Sequence, residues 1–137
     1  MGFSRLRPRV TSGHYGTVPR ILVVDDSPQF RDVAAALLAE RGIELLAEAA
    51  DADEALHAAA RACPDGILLD INLPDSDGFT AAAALAAQCP AARIVLTSAD
   101  VAYVPAQLLA DCAAIAFVRK EELAGTDLGA LFTPAGT

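Results

Sequence analysis

The sequence predicts an α/β fold built on a parallel sheet, from three observations. Short apolar runs recur five times along the chain, each followed by a segment with helix signals. The connections between runs have the length of helical crossovers rather than of hairpins. The central run, Gly66-Ile67-Leu68-Leu69-Asp70, is bounded by Pro64-Asp65-Gly66 and Pro74 and reads as a strand buried on both faces, yet it ends on a carboxylate. A charge there is costly unless it is paired, and open α/β sheets bind ligands outside the carboxyl ends of their strands.

In chain order, residues 1–19 mix Arg, Pro, Gly, Ser and Thr without an apolar period and read as a flexible leader. Ile21-Leu22-Val23-Val24 is the first strand and stops at Asp25-Asp26. Ser27-Pro28 supplies a helix cap and a proline at the first helical position, and Phe30, Val33, Ala34, Leu37 and Leu38 follow at helical spacing up to a stop at Gly42. Ile43 to Ala49 holds a second, weaker strand, and Asp51 or Asp53 caps an alanine-rich helix through Ala60. After the central strand, Gly78 opens a third helix to about Gln88, which Cys89-Pro90 ends. Arg93 to Ser98 is the fourth strand and ends on hydroxyls. A helix from Asp100 to about Ala113 must keep Pro105 in its first turn or kink there. Ala114 to Val118 is the fifth strand and leads to Arg119-Lys120, and a last helix is expected from about Thr126 to Phe132, with 133–137 as a tail.

The chain has 137 residues, the size of a single domain that buries roughly two thirds of its unfolded surface. Its net charge of −8 hides an asymmetry, because Arg5, Arg7, Arg9 and Arg20 all precede the first strand while the rest carries 18 acids against 6 bases. So acidic a body argues against direct nucleic-acid binding, which needs clustered Lys and Arg. No apolar run approaches a membrane span and the N-terminus lacks the pattern of a secretory signal, so a cytoplasmic protein is expected. Cys63, Cys89 and Cys112 are odd in number and lack metal spacing, and they read as small core or helix-face residues rather than redox or zinc groups.

Asp25, Asp26, Asp70, Thr97 and the chain's single lysine, Lys120, all fall at or just after strand C-termini. Carboxylates about 4 Å apart repel by about 4 kcal/mol at an effective dielectric near 20, so a cation must balance them. With oxygen as the ligand atom and no His or Cys at these strand ends, the donor set selects a hard divalent ion, and Mg²⁺ implies a phosphate substrate. One carboxylate can then attack phosphorus while the others hold the ion, and Asp70 on the central strand is the best nucleophile. Thr97 and Lys120 are placed to bind phosphoryl oxygens. Each residue also has a plainer role: Asp-Asp before Ser-Pro as a cap, Thr97 as a satisfied strand-end hydroxyl, Lys120 in a surface ion pair with Glu121 or Glu122. Their joint placement favours the site.

From about Arg20 to Leu131 the chain resembles the receiver domain of two-component response regulators. Asp25-Asp26 is similar to the family's acidic pair. Asp70-Ile71-Asn72-Leu73-Pro74-Asp75-Ser76-Asp77-Gly78 resembles its phosphoacceptor motif, 44 positions beyond Asp26. Thr97-Ser98 matches its switch hydroxyl and the small residue after it, and Phe117 stands in the place of its switch aromatic. The resemblance implies a flavodoxin-like, doubly wound (βα)5 domain over residues 20–132 with strand order 2-1-3-4-5. It implies phosphoryl transfer to Asp70 from a phosphohistidine of a sensor histidine kinase or a histidine phosphotransfer protein. It also implies Mg²⁺ held by Asp26, Asp70 and the Asn72 carbonyl, with Asp25 acting through water. Lys120 is followed by Glu121 where many members have proline, and Ala113-Ala114 replaces a common glycine before the fifth strand. Asn72 and Ala99 stand where side chains tune dephosphorylation in the family, and because Ala99 cannot orient a water, loss of the phosphate is expected to be left mainly to Mg²⁺ and Asn72.

With about a dozen residues after Leu123, no output domain follows in this sequence, so a stand-alone receiver signalling to a downstream protein by contact is expected, or one domain of a longer protein. The fourth helix, fifth strand and fifth helix form the family's output face; Val101, Tyr103, Val104 and Arg119 are the candidates here, with Val101 and Val104 as core in the plainer reading, and a homodimer through this face is one outcome. The competing classes are a phosphohydrolase of the haloacid-dehalogenase kind, a pseudo-receiver that binds without turning over phosphate, and a flavodoxin. Asp25-Asp26-Ser27 lacks the first one's Asp-x-Asp pattern, intact Asp70, Thr97 and Lys120 disfavour the second, and two acids in place of a phosphate loop disfavour the third. His14 and His57 are not donors on this reading.

Overall fold

The computed structural model describes residues 18–134. The expected basic leader therefore lies outside the described residues except for its last two, as do His14 and the final three residues of the tail. Five strands, β1 (Arg20–Val24), β2 (Glu44–Ala49), β3 (Gly66–Asp70), β4 (Arg93–Ser98) and β5 (Ala114–Arg119), form one parallel sheet in the order β2-β1-β3-β4-β5. Helices α1 (Pro28–Glu40), α2 (Ala52–Arg61), α3 (Gly78–Gln88), α4 (Ala106–Asp111) and α5 (Leu128–Phe132) cross over between them or close the chain.

Because successive side chains of a strand point to opposite faces, the sheet feeds two cores. Ile21, Val23, Leu68 and Val95 pack with Ala34 and Leu38 of α1 and with Leu128 and Phe132 of α5. Leu22, Val24, Ile67, Leu69, Ile94 and Leu96 pack with the alanines of α2 and α3. The central β3 is buried along its whole length, as its unbroken apolar run predicts.

Local signals placed most helix ends. Ser27 caps α1, its Oγ accepting from the Phe30 amide, and Asp51 rather than Asp53 caps α2 by accepting from Glu54 N–H. Gly42 ends α1 with φ +72°, a conformation that favours glycine. Asp77 caps α3 through the Thr80 amide. Within α1, Ala34 and Leu38 are buried, but Val33 points outward and is 59% exposed.

Three expectations need correction. The fourth helix starts at Ala106 rather than near Asp100, because the Ser98 hydroxyl accepts from the amides of Asp100 and Val101 and turns the chain off the sheet, and Pro105 disfavours helix in the residue before it. A 3-10 helix, Lys120–Gly125, fills the segment after β5, and α5 begins at Leu128, where Asp127 caps it. Cys63 and Cys89 are not independent small residues: they form a disulfide, with Cα atoms 5.7 Å apart. Neighbouring helices α2 and α3 bring together two cysteines that are 26 positions apart in sequence. Cys112 is a free, buried thiol, as expected of a small core residue.

Candidate functional site

The crossovers bring Asp25, Asp26, Asp70, Thr97 and Lys120 to the carboxyl edge of the sheet. β1 ends at Val24 and presents the two acids, β3 presents Asp70 in register with Thr97 of β4, and Lys120 follows the last residue of β5. The carboxylates of Asp25, Asp26 and Asp70 approach so closely that one oxygen from each lies within 4.8 Å of the others. Asp25 is fully buried and Asp70 nearly so, while Asp26 is open to solvent.

Lys120 is the cation the acids require. Its Nζ lies 2.7 Å from Asp25 Oδ2 and 3.3 Å from Asp70 Oδ2, and the Phe30 ring lies beneath it, with its centroid at 4.4 Å. The alternative of a surface pair with Glu121 or Glu122 is not what forms; Arg119 takes both glutamates instead. Burial alone would lower the Lys120 pKa, but the bonds to Asp25 and Asp70 outweigh it and raise the value. Asp70 is pushed up from the ordinary carboxylate value mainly by burial, with the Asp25 charge adding to the rise; the Asn72 amide and Lys120 work against it.

Two further features complete the edge. Asn72 N–H donates to Asp70 Oδ1 at 3.0 Å and Ser27 N–H to Asp25 Oδ1 at 2.9 Å, so each buried carboxylate has one oxygen fixed by a backbone amide and the other by the ammonium. The Thr97 hydroxyl is buried and has no hydrogen-bond partner among the described residues, in the register position beside Asp70. An unpaired buried hydroxyl costs stability and is more at home facing a ligand oxygen. A shallow cleft lined by Asp26, Asn72, Pro74 and Asp77 opens beside the acids.

Gly78 explains the glycine of the motif. A Cβ there would sit 2.3 Å from the Ile71 Cα and 2.8 Å from the Asp70 carbonyl oxygen, so only glycine lets α3 start directly against the end of β3. Phe117 is half-buried beside Tyr103 and Val104 in a groove along β5. Of the other output candidates, Tyr103 is 73% exposed, Val101 is half-buried against the core and Arg119 is half-buried, whereas Val104 is buried and belongs to the core. Asn72 and Ala99 are both exposed, and His57 lies on α2 beside Asp53, away from the acids. The Phe30 ring under Lys120 is a site feature that helical spacing does not separate from an ordinary core position.

Comparison with known families matches residues 21–128 to the response regulator receiver domain. The chain belongs to this family. Receiver domains hold Mg²⁺ at an acidic cluster, and Asp25, Asp26 and Asp70 form one here. A relative in Anaeromyxobacter dehalogenans, protein-glutamate methylesterase/protein-glutamine glutaminase 5, is 40% identical over 106 residues, 76% of this chain and 29% of that protein. This receiver spans under a third of the methylesterases it first matches. Among solved structures, a LuxR-family two-component response regulator from Aurantimonas sp. SI85-9A1 superposes with a TM-score of 0.73 at 29% identity, covering 84% of this chain and 86% of that one. The response regulator domain of Thermotoga maritima CheB gives 0.71 at 25% identity, covering 83% and 93%. Among the described residues no helix is long and apolar enough to cross a membrane.

Proposed function

We propose that this receiver accepts a phosphoryl group on Asp70 from the phosphohistidine of a sensor histidine kinase or histidine phosphotransfer protein, and passes the signal on by protein contact. The observation that carries this reading is the pairing of Asp70 with Lys120 beside the unpartnered Thr97 hydroxyl. An Asp70 carboxylate oxygen bonds to phosphorus as the P–N bond to the donor imidazole breaks, and the electron pair leaves with the imidazole. No general base is needed, because the attacking group is already an anion.

The charge at the site supports Mg²⁺ as cofactor. Three carboxylates and one ammonium leave two negative charges, which one divalent cation balances, and the donors are oxygens. Asp26, Asp70 and the Asn72 carbonyl would hold the ion, with Asp25 acting through water, and the bound ion neutralises charge on the phosphoryl oxygens. After transfer Lys120 stays as a phosphate partner and the Thr97 hydroxyl gains an acceptor. Its movement toward the phosphate frees room for Phe117 to turn inward, which remodels the α4-β5-α5 face around Tyr103 and Arg119. That face is the proposed contact for a downstream protein or a second copy. The proposed compartment is the cytoplasm, where thiol reductants would reach the exposed Cys63 end of the disulfide, so the tie that it adds between α2 and α3 belongs to the oxidised protein.

Intact-protein mass after incubation with acetyl phosphate tests this reading. One phosphoryl adduct that needs Mg²⁺ and is absent from Asp70→Asn is expected. No adduct from acetyl phosphate or from a panel of phosphorylated kinases would leave a receiver that binds partners without phosphate. Asn72→Ala is expected to change the lifetime of the adduct, and an unchanged lifetime would remove Asn72 from the dephosphorylation step.

A further inference from the structure

The loop between β3 and α3 carries Asn72, and it is anchored by a contact that neither its own strand nor its own helix supplies. The Asp75 carboxylate reaches across to the first turn of α2, accepting from Ala52 N–H at 2.9 Å through Oδ1 and from Asp53 N–H at 3.1 Å through Oδ2. Helix α2 already has a cap of its own: Asp51 accepts from Glu54 N–H, and Glu54 reaches back to the Ala50 amide. Asp75 takes the two first-turn amides that this local cap leaves over, at a point where the helix dipole favours a negative charge. These amides hold the Asp75 carboxyl below its ordinary pKa, the one from Ala52 most strongly.

The anchor ties the loop to the acid pair as well. The residue that ends β2, Ala49, accepts from Asp25 N–H at 3.0 Å, so the β2–α2 turn is fixed to Asp25 on one side and gripped by Asp75 on the other. Within the loop, Asn72 N–H donates to Asp70 Oδ1, and Asn72 forms an isolated antiparallel bridge with Asp77, whose carboxylate caps α3. The Asn72 backbone is thereby held from β3, from α3 and, through Asp75, from α2.

We infer that Asp75 is a positioning residue for the metal site, holding the β3–α3 loop so that the Asn72 carbonyl and Asp70 face the ion together. It touches neither ion nor phosphoryl group; it acts through the loop that carries a ligand. The inference rests on the Mg²⁺ reading given above, and its test keeps the two apart.

Titration calorimetry of the whole chain with MgCl2, beside thermal melts, compares wild type with Asp75→Ala, Asp75→Asn and Asp51→Ala. Asp51→Ala removes the local cap of α2 without touching the loop, so it controls for destabilisation of the helix. Loss of a direct hydrogen-bond partner of a metal ligand weakens metal binding by about tenfold or more; Asp75 acts one step further out, through the loop, and a smaller loss, of several-fold, is expected for Asp75→Ala. Asp75→Asn, which keeps one acceptor oxygen, is expected to fall between it and wild type, and it decides the matter if Asp75→Ala does not fold. Asp51→Ala is expected to melt lower with Mg²⁺ affinity unchanged. Wild-type affinity retained in the Asp75 variants, or lost equally in Asp51→Ala, would make Asp75 a helix cap and nothing more. Absence of Mg²⁺ binding in wild type would overturn the metal reading and this inference with it.

Discussion

The two flanks of β3 and β4 are built differently. On the β3 flank, α2 and α3 are tied at both ends. Asp51, Asp75 and Asp77 satisfy their first-turn amides, the Cys63–Cys89 disulfide joins the far ends, and a hydrogen bond from Gln88 Nε2 at the end of α3 reaches the Leu56 carbonyl in the middle of α2. Helix α3 buries Gly78, Ala81, Ala82 and Leu85 against the sheet. On the β4 flank, α4 has six residues, no side-chain cap and no buried residue. It is entered through Pro105 and left through Ala113, whose φ of +66° is costly for any residue with a Cβ. The flank that holds Asp70 and the loop with Asn72 is fixed, while the flank that follows Thr97 is weakly held. A segment with few buried contacts opens at low free energy, which suits the movement of this flank proposed above for when Thr97 turns toward a phosphate.

The largest test of this contrast is to cut the tie. Reduction of the disulfide, or Cys89→Ser, releases a loop closed across 26 positions and is expected to lower stability by about 3 kcal/mol in denaturant unfolding. A change below about 1 kcal/mol would show that packing alone holds α2 to α3. Gly78→Ala forces a methyl into the end of β3 and is expected to cost about 2 kcal/mol, since overpacking of a close contact distorts the backbone around it. On the other flank, Ala113→Gly relieves the positive φ and is expected to gain about 1 kcal/mol. The same substitution with no gain would mean that the turn after α4 carries no strain.

The smallest effect concerns the price of the acid itself. Because burial raises the Asp70 pKa in the folded state, folding favours its protonated form; the stability this confers is complete below the unfolded carboxylate value and is lost as pH rises through the folded one. Asp70→Asn is therefore expected to melt above wild type at neutral pH without Mg²⁺, with the gap closing as pH falls. A lower melting temperature for the variant at pH 7 would mean that the ion pair with Lys120 outweighs burial.

The sequence made the sheet and its acidic edge legible for a physical reason. Runs such as Ile21–Val24 and Ile67–Leu69 are apolar because both faces of their strands are buried, and the acids that end them stand out against that background. Caps are local too, so Ser27, Asp51 and Gly42 could be read directly. What escaped was long-range or depended on competition between local preferences. Nothing near Asp75 shows that its partners are amides 22 and 23 positions back, and nothing near Cys63 shows that Cys89 meets it. Phe30 fits helical spacing as well as any core residue, although its ring lies under Lys120. The fourth helix starts later than the sequence suggests because the Ser98 hydroxyl competes for the amides of Asp100 and Val101, a preference that shows only once the strand end is in place.

Hydrogen exchange read by mass spectrometry, with and without acetyl phosphate and Mg²⁺, tests the contrast between the flanks most directly. Amides of α4 are expected to exchange far faster than those of α3 in the resting protein, and phosphorylation is expected to change protection across β4, α4 and β5 while α2 and α3 stay protected. Equal protection of α3 and α4, or a phosphorylation response concentrated in α2 and α3, would contradict it.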